Sequence, residues 1–238
     1  MKELLGCIRK ADKDFHLIDA GDRVCVGVSG GKDSLVLLYA LALYRKFCPN
    51  KYELVAATLH LGREPFDLDP IRRLCDSLDV PYTVKMTEIS RVIFDERKEE
   101  NPCALCAKMR RGALTDLCKE LGANKLALGH HRDDALETLF MSLLYEGRFH
   151  TFHPKTYLSR SGITQIRPMV YASEKHIIHL SKELELPVVA SPCPANGFTK
   201  RETMKDLIEY ITKNISPNAR ELMLSALQNE EQYSLWNK

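Results

Sequence analysis

The sequence predicts an α/β protein built on a doubly wound parallel sheet, with helices on both faces and further helices at the C-terminus. Three observations predict it. Apolar runs of strand length alternate with amphipathic segments of helix length. The run Val24-Cys25-Val26-Gly27-Val28 feeds a glycine turn, Ser29-Gly30-Gly31, which opens directly into a helix. A later run, ending at Leu128-Gly129, also leads into a helix. In such folds ligands gather at the carboxyl ends of strands, where both glycine sites fall.

The elements follow in order. Residues 1–20 read as an amphipathic helical lead-in, and Ala20-Gly21-Asp22-Arg23 as a turn into the first strand. A helix starts at about Lys32 and runs through Leu35, Leu37, Leu38 and Leu41. Residues 54–59 form the second strand. A helix over 66–78 carries Leu68, Ile71, Leu74, Cys75 and Leu78 on one face, and a strand covers 80–84. A helix over 105–121 ends at Gly122, a strand covers 125–128, and a helix covers 133–145. Residues 147–165, with Pro154 and Gly162, are less regular and suit a small hairpin or flap. Arg167-Pro168-Met169 follows another short strand. Residues 200–235 read as two helical segments divided by Pro217. The expected organisation is a lead-in over 1–20, a core domain over 21–190, and a cysteine loop with helical tail over 191–238 packed on that same domain.

Composition narrows the function classes. A chain of 238 residues, 45% hydrophobic and 28% charged, can bury a sizeable core. No apolar run approaches eighteen residues, and the start Met1-Lys2-Glu3-Leu4-Leu5-Gly6 lacks a signal peptide's long apolar core. No membrane association is expected, and the expected location is the cytoplasm. A net charge of +2 does not by itself indicate nucleic-acid binding, though a local basic face fits within it. Eight cysteines in a cytoplasmic chain of this length argue against a disulfide framework.

The hexapeptide Ser29-Gly30-Gly31-Lys32-Asp33-Ser34 points to phosphate chemistry. Backbone N–H groups at a glycine turn and a helix N-terminus carry partial positive charge, and glycines let an anion approach closely. Lys32 adds a point charge. The loop is not a Walker A motif, because Val26 stands where that motif has its first glycine and Asp33 follows the lysine. A second motif, Gly129-His130-His131-Arg132-Asp133-Asp134, enters a helix at a strand end. One aspartate suits the N-cap; the other suits Mg²⁺ or a nucleotide, a role open to Asp33 as well. The two histidines suit either a structural or a direct role.

Three cysteines stand apart. Cys103 and Cys106 form a C-x-x-C at a helix start, where thiolate is favoured, and Cys193 sits between Pro192 and Pro194. Cys7, Cys25, Cys48, Cys75 and Cys118 lie mostly among apolar neighbours and read as packing residues. The three suit a zinc site with a fourth ligand elsewhere, a redox pair, or a [4Fe–4S] cluster with one iron left open.

The hexapeptide resembles the signature of the PP-loop ATP pyrophosphatases, which cleave ATP between the α- and β-phosphates. Taken with Cys103-x-x-Cys106, Arg110-Arg111-Gly112, the Gly129 motif, Arg167-Pro168 and Cys193, the chain resembles TtcA, the tRNA 2-thiocytidine biosynthesis family, over most of its length. The resemblance implies an adenine nucleotide alpha hydrolase-like fold and an ATP-dependent tRNA sulfurtransferase. Such an enzyme adenylates C2 of cytidine 32 and replaces the oxygen by sulfur. It implies ATP, Mg²⁺ and a [4Fe–4S] cluster on Cys103, Cys106 and Cys193. The implied nucleotide contacts are Ser29, Gly30, Gly31, Lys32, Asp33, Ser34, His60, Gly129 and His130. Lys32, Asp33, Asp133, Asp134 and Arg110 carry the implied catalytic roles, and Arg111, Arg132 and Arg167 the tRNA contacts. The implied partners are tRNA and a sulfur donor, either sulfide or a cysteine desulfurase; a homodimer is compatible. One departure is Leu59-His60-Leu61-Gly62-Arg63, where relatives show an Asn-Leu-Asp-like sequence and Gly62 stands where an aspartate is common. Alternative readings are a PP-loop sulfurtransferase for another nucleotide or a small molecule, and a non-catalytic metal-binding scaffold.

Overall fold

The structure is a computed structural model that describes residues 1–62, 67–97, 102–189 and 200–229. The chain divides into two units: Met1–His131 with His153–Ala195, and Arg132–Phe152 with Asn196–Lys238.

The first unit holds the sheet. Its strands are β1 (Arg23–Gly27), β2 (Glu53–His60), β3 (Tyr82–Met86), β4 (Lys125–Ala127), β5 (Lys155–Leu158) and β6 (Ile163–Ile166). Their order is β3-β2-β1-β4-β6-β5. All neighbours are parallel except β5, an antiparallel edge strand on β6. The helices are α1 (Lys2–Phe15), α2 (Lys32–Phe47), α3 (Asp69–Ser77), α4 (Ile89–Arg91, continued by a wide π-type turn over Val92–Glu96), α5 (Pro102–Glu120) and α7 (Glu174–Glu183).

Strand alternation builds two cores, one on each face. Val24, Val26, Leu54 and Ala56 join Leu4 and Ile8 of α1, Leu35, Leu38 and Leu41 of α2, Ile71 of α3, and Ile177 and Leu180 of α7. Cys25, Val55 and Ala57, one residue out of step, join Leu117 and Cys118 of α5, with Leu126 and Ile163. This is the two-faced burial of a parallel sheet. The expected fold class is the one observed. From β1 the chain winds outward through β2 to β3, while β4 opens the other half of the sheet. The loops after β1 and β4 therefore diverge at a switch point, the usual crevice for ligands.

At the opposite end, β4 begins on a buried lysine. Lys125 Nζ lies 2.6 Å from Asp22 Oδ2 and 2.8 Å from Asp19 Oδ2, and donates to the Leu17 carbonyl at 2.7 Å. Three acceptors satisfy an ammonium that is 4% exposed.

The second unit is helical: α6 (Arg132–Met141), extended by a π-type turn over Ser142–Glu146, packs on α8 (Lys200–Asn214) and α9 (Ala219–Gln228). Leu136, Leu139, Met204, Ile208 and Ala219 are buried.

Several boundaries differ from the sequence reading. The third strand begins at Tyr82, two residues late, because the chain is still turning at Val80. Asp79 has a φ of 53°, and the Val80 N–H donates to the Cys75 carbonyl at 3.0 Å. Residues 89–96 and α7 were not anticipated. Residues 147–165 contain a hairpin strand, as expected, and its partner β6 is an integral strand of the main sheet. The tail helices flank Pro217 as expected, and residues 230–238 lie outside the described residues.

Candidate active site

The loop after β1 is closed by its own serines. Ser34 Oγ donates to the Gly31 carbonyl at 2.9 Å and accepts from the Ser29 N–H at 3.1 Å. Gly30 turns the chain at a φ of 84°, a conformation that suits glycine, and its carbonyl accepts from the Val189 N–H at 2.9 Å. The end of β1 is pinned from β2 and β3: Thr58 Oγ1 donates to the Val28 carbonyl at 2.7 Å, and Tyr82 OH donates to Thr58 at 2.8 Å. Gly31 is the N-cap of α2, and among the described residues no side chain caps that helix. The first-turn N–H groups of Lys32, Asp33 and Ser34 have no partner within the helix. Such a terminus suits an anion.

Lys32 stands between two carboxylates. Its Nζ is 3.3 Å from Asp33 Oδ2 and 3.2 Å from Glu174 Oε1, at the start of α7. Burial alone would lower its pKa, but Asp33 and Glu174 outweigh burial and hold it above the ordinary value. Asp33 Oδ1 is buried and makes no hydrogen bond among the described residues; His131 Nε2 lies 3.6 Å from it. The loop after β4 lies against α2: a Cβ on Gly129 would sit 3.0 Å from the Asp33 carbonyl carbon and from Ser34 N. A side chain there would require the first turn of α2 to give by a few tenths of an ångström. The hexapeptide, Gly129 and His131 thus meet at the switch point, with His130 half-buried beside them in the chain.

His60 ends β2, is buried, and uses Nδ1 to accept from the Gly62 N–H at 3.2 Å. Its carbonyl accepts from the Thr87 N–H at 2.8 Å and Thr87 Oγ1 at 2.9 Å. Gly62 has a φ of 82°, and a Cβ there would lie 2.4 Å from the Thr87 carbonyl oxygen. An aspartate does not fit this backbone path.

Arg110 and Arg111 are exposed on α5. Arg167, at the end of β6, is buried; its Nη1 donates to the His153 carbonyl at 2.6 Å. Burial first, and Arg111 second, push its pKa down to about 10. Cys106 is half-buried in the first turns of α5. The side chain of Cys103 and all of Cys193 lie outside the described residues. Among the described residues no three His, Cys, Asp or Glu side chains cluster to hold a metal.

Arg132, Asp133 and Asp134 belong to the helical unit. Asp133 is buried and paired with Arg220; Asp134 Oδ1 lies 3.0 Å from Arg201 Nη1, which also reaches Glu137 Oε2 at 3.2 Å. Arg132 pairs with Glu221 at 2.9 Å. Sequence reasoning missed Glu174, Glu137, Arg201 and Arg220. The helix-start pattern of Ser173, whose hydroxyl caps α7 through the His176 N–H at 3.3 Å, offered a signal for Glu174 alone.

Residues 7–208 match the family model of the PP-loop domain. Fold and glycine turn are those of a PP-loop protein. The tRNA-cytidine(32) 2-sulfurtransferase of Pelobacter propionicus is 38% identical over 231 residues, spanning 96% of this chain and 86% of that protein. Its counterpart in Geobacter sulfurreducens is 37% identical over 231 residues, spanning 96% and 90%. Among solved structures, the U34-tRNA thiolase NcsA from Methanococcus maripaludis with its [4Fe–4S] cluster matches at a TM-score of 0.77. That match is 26% identical and covers 97% of this chain and 80% of that one. The chain belongs to the tRNA-cytidine(32) 2-sulfurtransferase family.

Proposed function

We propose that this chain replaces the C2 oxygen of cytidine 32 in tRNA by sulfur, at the expense of ATP. The observation that carries the reading is the α2 terminus capped by Gly31, with Lys32 beside it and the Gly129 loop against it. In the first step the base oxygen bonds to the α-phosphorus of ATP, and the bond from that phosphorus to pyrophosphate breaks. The N–H groups of the α2 terminus and Lys32 stabilise the charge on the departing pyrophosphate. In the second step a sulfur nucleophile bonds to C2, and AMP leaves with the original oxygen. Adenylation makes that oxygen a leaving group.

Asp33 Oδ1, buried without a hydrogen bond among the described residues, fits a carboxylate ligand of Mg²⁺. Arg110 and Arg111, exposed on α5, are assigned to phosphate contacts, as guanidinium forks suit phosphate; the burial of Arg167 and the Glu221 pair of Arg132 favour structural roles for those two over tRNA contact. The ion pairs of Asp133 and Asp134 support a positioning role in α6 over a magnesium role. Cys103, Cys106 and Cys193 would hold a [4Fe–4S] cluster, the group carried by the similar thiolase. The half-buried Cys106 at a helix start fits a thiolate donor. The buried cysteines do not: the hydrogen bond with Cys118 and then burial raise the Cys25 pKa, and burial pushes the Cys75 thiol up to about 12. When bound, such a cluster supplies a nucleophilic sulfur at its open iron. Sulfide or a desulfurase would be the donor. No helix among the described residues is long and apolar enough to cross a membrane, which suits a cytoplasmic tRNA enzyme.

Nucleoside analysis of tRNA from a strain lacking this chain tests the reading. 2-Thiocytidine should vanish, return with the wild-type chain and stay absent with Lys32→Ala. Unchanged 2-thiocytidine in the deletion strain overturns it.

A further inference from the structure

The helical unit presents eight consecutive exposed residues, Leu143 to His150. Leu144 is 60% exposed, Tyr145 50% and Phe149 45%, so large apolar side chains stand in solvent within six residues of one another, the kind of surface that marks an interaction site. Hydrogen bonds hold the run at both ends. The π-type turn over Ser142–Glu146 widens the end of α6 and turns Leu143, Leu144 and Tyr145 outward. Gly147 closes it in the left-handed region at a φ of 63°, and the Arg148 N–H donates to the Ser142 carbonyl at 3.0 Å. Beyond the run, Thr151 Oγ1 ties the chain to the Ala135 carbonyl at 2.9 Å. Cations are interleaved with the rings: Lys200 Nζ sits 4.4 Å from the Tyr145 ring centroid, and the exposed Arg148 lies in sequence between Tyr145 and Phe149. Glu146 is the one carboxylate of the run.

Preset aromatic rings beside cations are what unpaired RNA bases and their phosphates require. We propose that Tyr145 and Phe149 are stacking platforms for splayed bases of a tRNA anticodon loop, with Arg148 and Lys200 on the adjoining phosphates. The proposal rests on the tRNA reading above and adds how the loop is gripped. Cytidine 32 lies in that single-stranded loop, so its neighbours must leave their stack for C2 to be reached. Stacking of this kind is tolerant of base identity, so this surface would grip the loop without choosing a base.

The test uses the full chain and a tRNA anticodon stem-loop with unmodified cytidine 32, followed by fluorescence anisotropy. Tyr145→Ala and Phe149→Ala should each weaken the Kd about 5- to 150-fold, the loss expected for one stacked base. Tyr145→Phe should stay within about twofold. The chain's one tryptophan, Trp236, allows a reporter: in Trp236→Phe/Tyr145→Trp, stem-loop addition should quench the emission. If Tyr145→Ala does not fold, the reporter decides alone. Folded alanine variants with wild-type Kd, or a reporter that does not respond, overturn the proposal. So does a Tyr145→Ala chain whose only change is loss of self-association, which would make the patch a contact between copies. A wild-type chain that thiolates tRNA but is indifferent to these substitutions leaves the proposed function standing. A wild-type chain that neither binds nor thiolates tRNA removes both.

Discussion

His131 Nε2, at the end of the β4 loop, lies 3.6 Å from Asp33 Oδ1 in the first turn of α2. The two residues join the halves of the sheet at its switch point. Asp33 is the carboxylate proposed for Mg²⁺, and the His131 ring stands beside the same Oδ1, where it would limit how the carboxylate turns. His131→Ala should therefore raise the Mg²⁺ concentration for half-maximal pyrophosphate release about 10- to 100-fold, the usual cost of losing a ligand's supporting partner. An Mg²⁺ titration of the variant checks this; an unchanged midpoint contradicts it.

Gly129→Ala places a methyl group 3.0 Å from backbone atoms of Asp33 and Ser34, which cannot swing aside as a side-chain tip can. The start of α2 must shift. We expect about 1–3 kcal/mol of lost stability from overpacking and a fall in tRNA-dependent pyrophosphate release of about 100-fold, since small misplacements cost that much. Denaturant titration and steady-state assays of one preparation separate the two effects.

The Arg220–Asp133 pair joins a buried carboxylate to a partly buried guanidinium, with side-chain exposures of 6% and 18%. Arg220→Met removes that cation from a buried carboxylate and should cost about 3 kcal/mol. Arg220→Met/Asp133→Leu should regain much of the loss, because the buried carboxylate that lost Arg220 is gone, while Arg132 keeps its pair with Glu221. Equal stabilities of the single variant and the wild type would show the pair to be energetically idle.

Lys32 gives a signed pH dependence. Burial acts to lower its pKa, yet Asp33 and Glu174 hold it above 10.5 in the folded protein. A lysine raised on folding contributes stability that is complete below its unfolded pKa and lost as pH rises through the folded one. The difference in Tm between wild type and Lys32→Met should stay constant from about pH 7 to about pH 10 and shrink only above that. Shrinkage centred near about pH 8 would mean that the ammonium is not held by these carboxylates.

What is legible in the sequence is set by local chemistry. The strand alternation and the Ser29–Ser34 turn are encoded within a few residues, as is the helix entry after Gly129. Tertiary packing decided the rest. Glu174 meets Lys32 only because α7 packs on α2. One of Asp133 and Asp134 read as a helix cap and the other as a metal or nucleotide residue; the pairs they make with Arg220 and Arg201, far along the chain, leave no local sequence signal. The late start of β3 follows from a left-handed Asp79, a conformation that no pattern of apolar residues signals. Gly62 looked like a lost aspartate, whereas its positive φ and the nearness of Thr87 make glycine the residue the turn needs.

The proposed chemistry couples ATP cleavage to sulfur insertion in tRNA. Its most direct test is anaerobic turnover of the iron- and sulfide-reconstituted chain with ATP, Mg²⁺, sulfide and tRNA bearing unmodified cytidine 32. AMP, pyrophosphate and 2-thiocytidine are counted in the same reaction. The account predicts equal amounts of all three, dependent on tRNA and abolished by Lys32→Ala. AMP and pyrophosphate formed without tRNA and without 2-thiocytidine would contradict it.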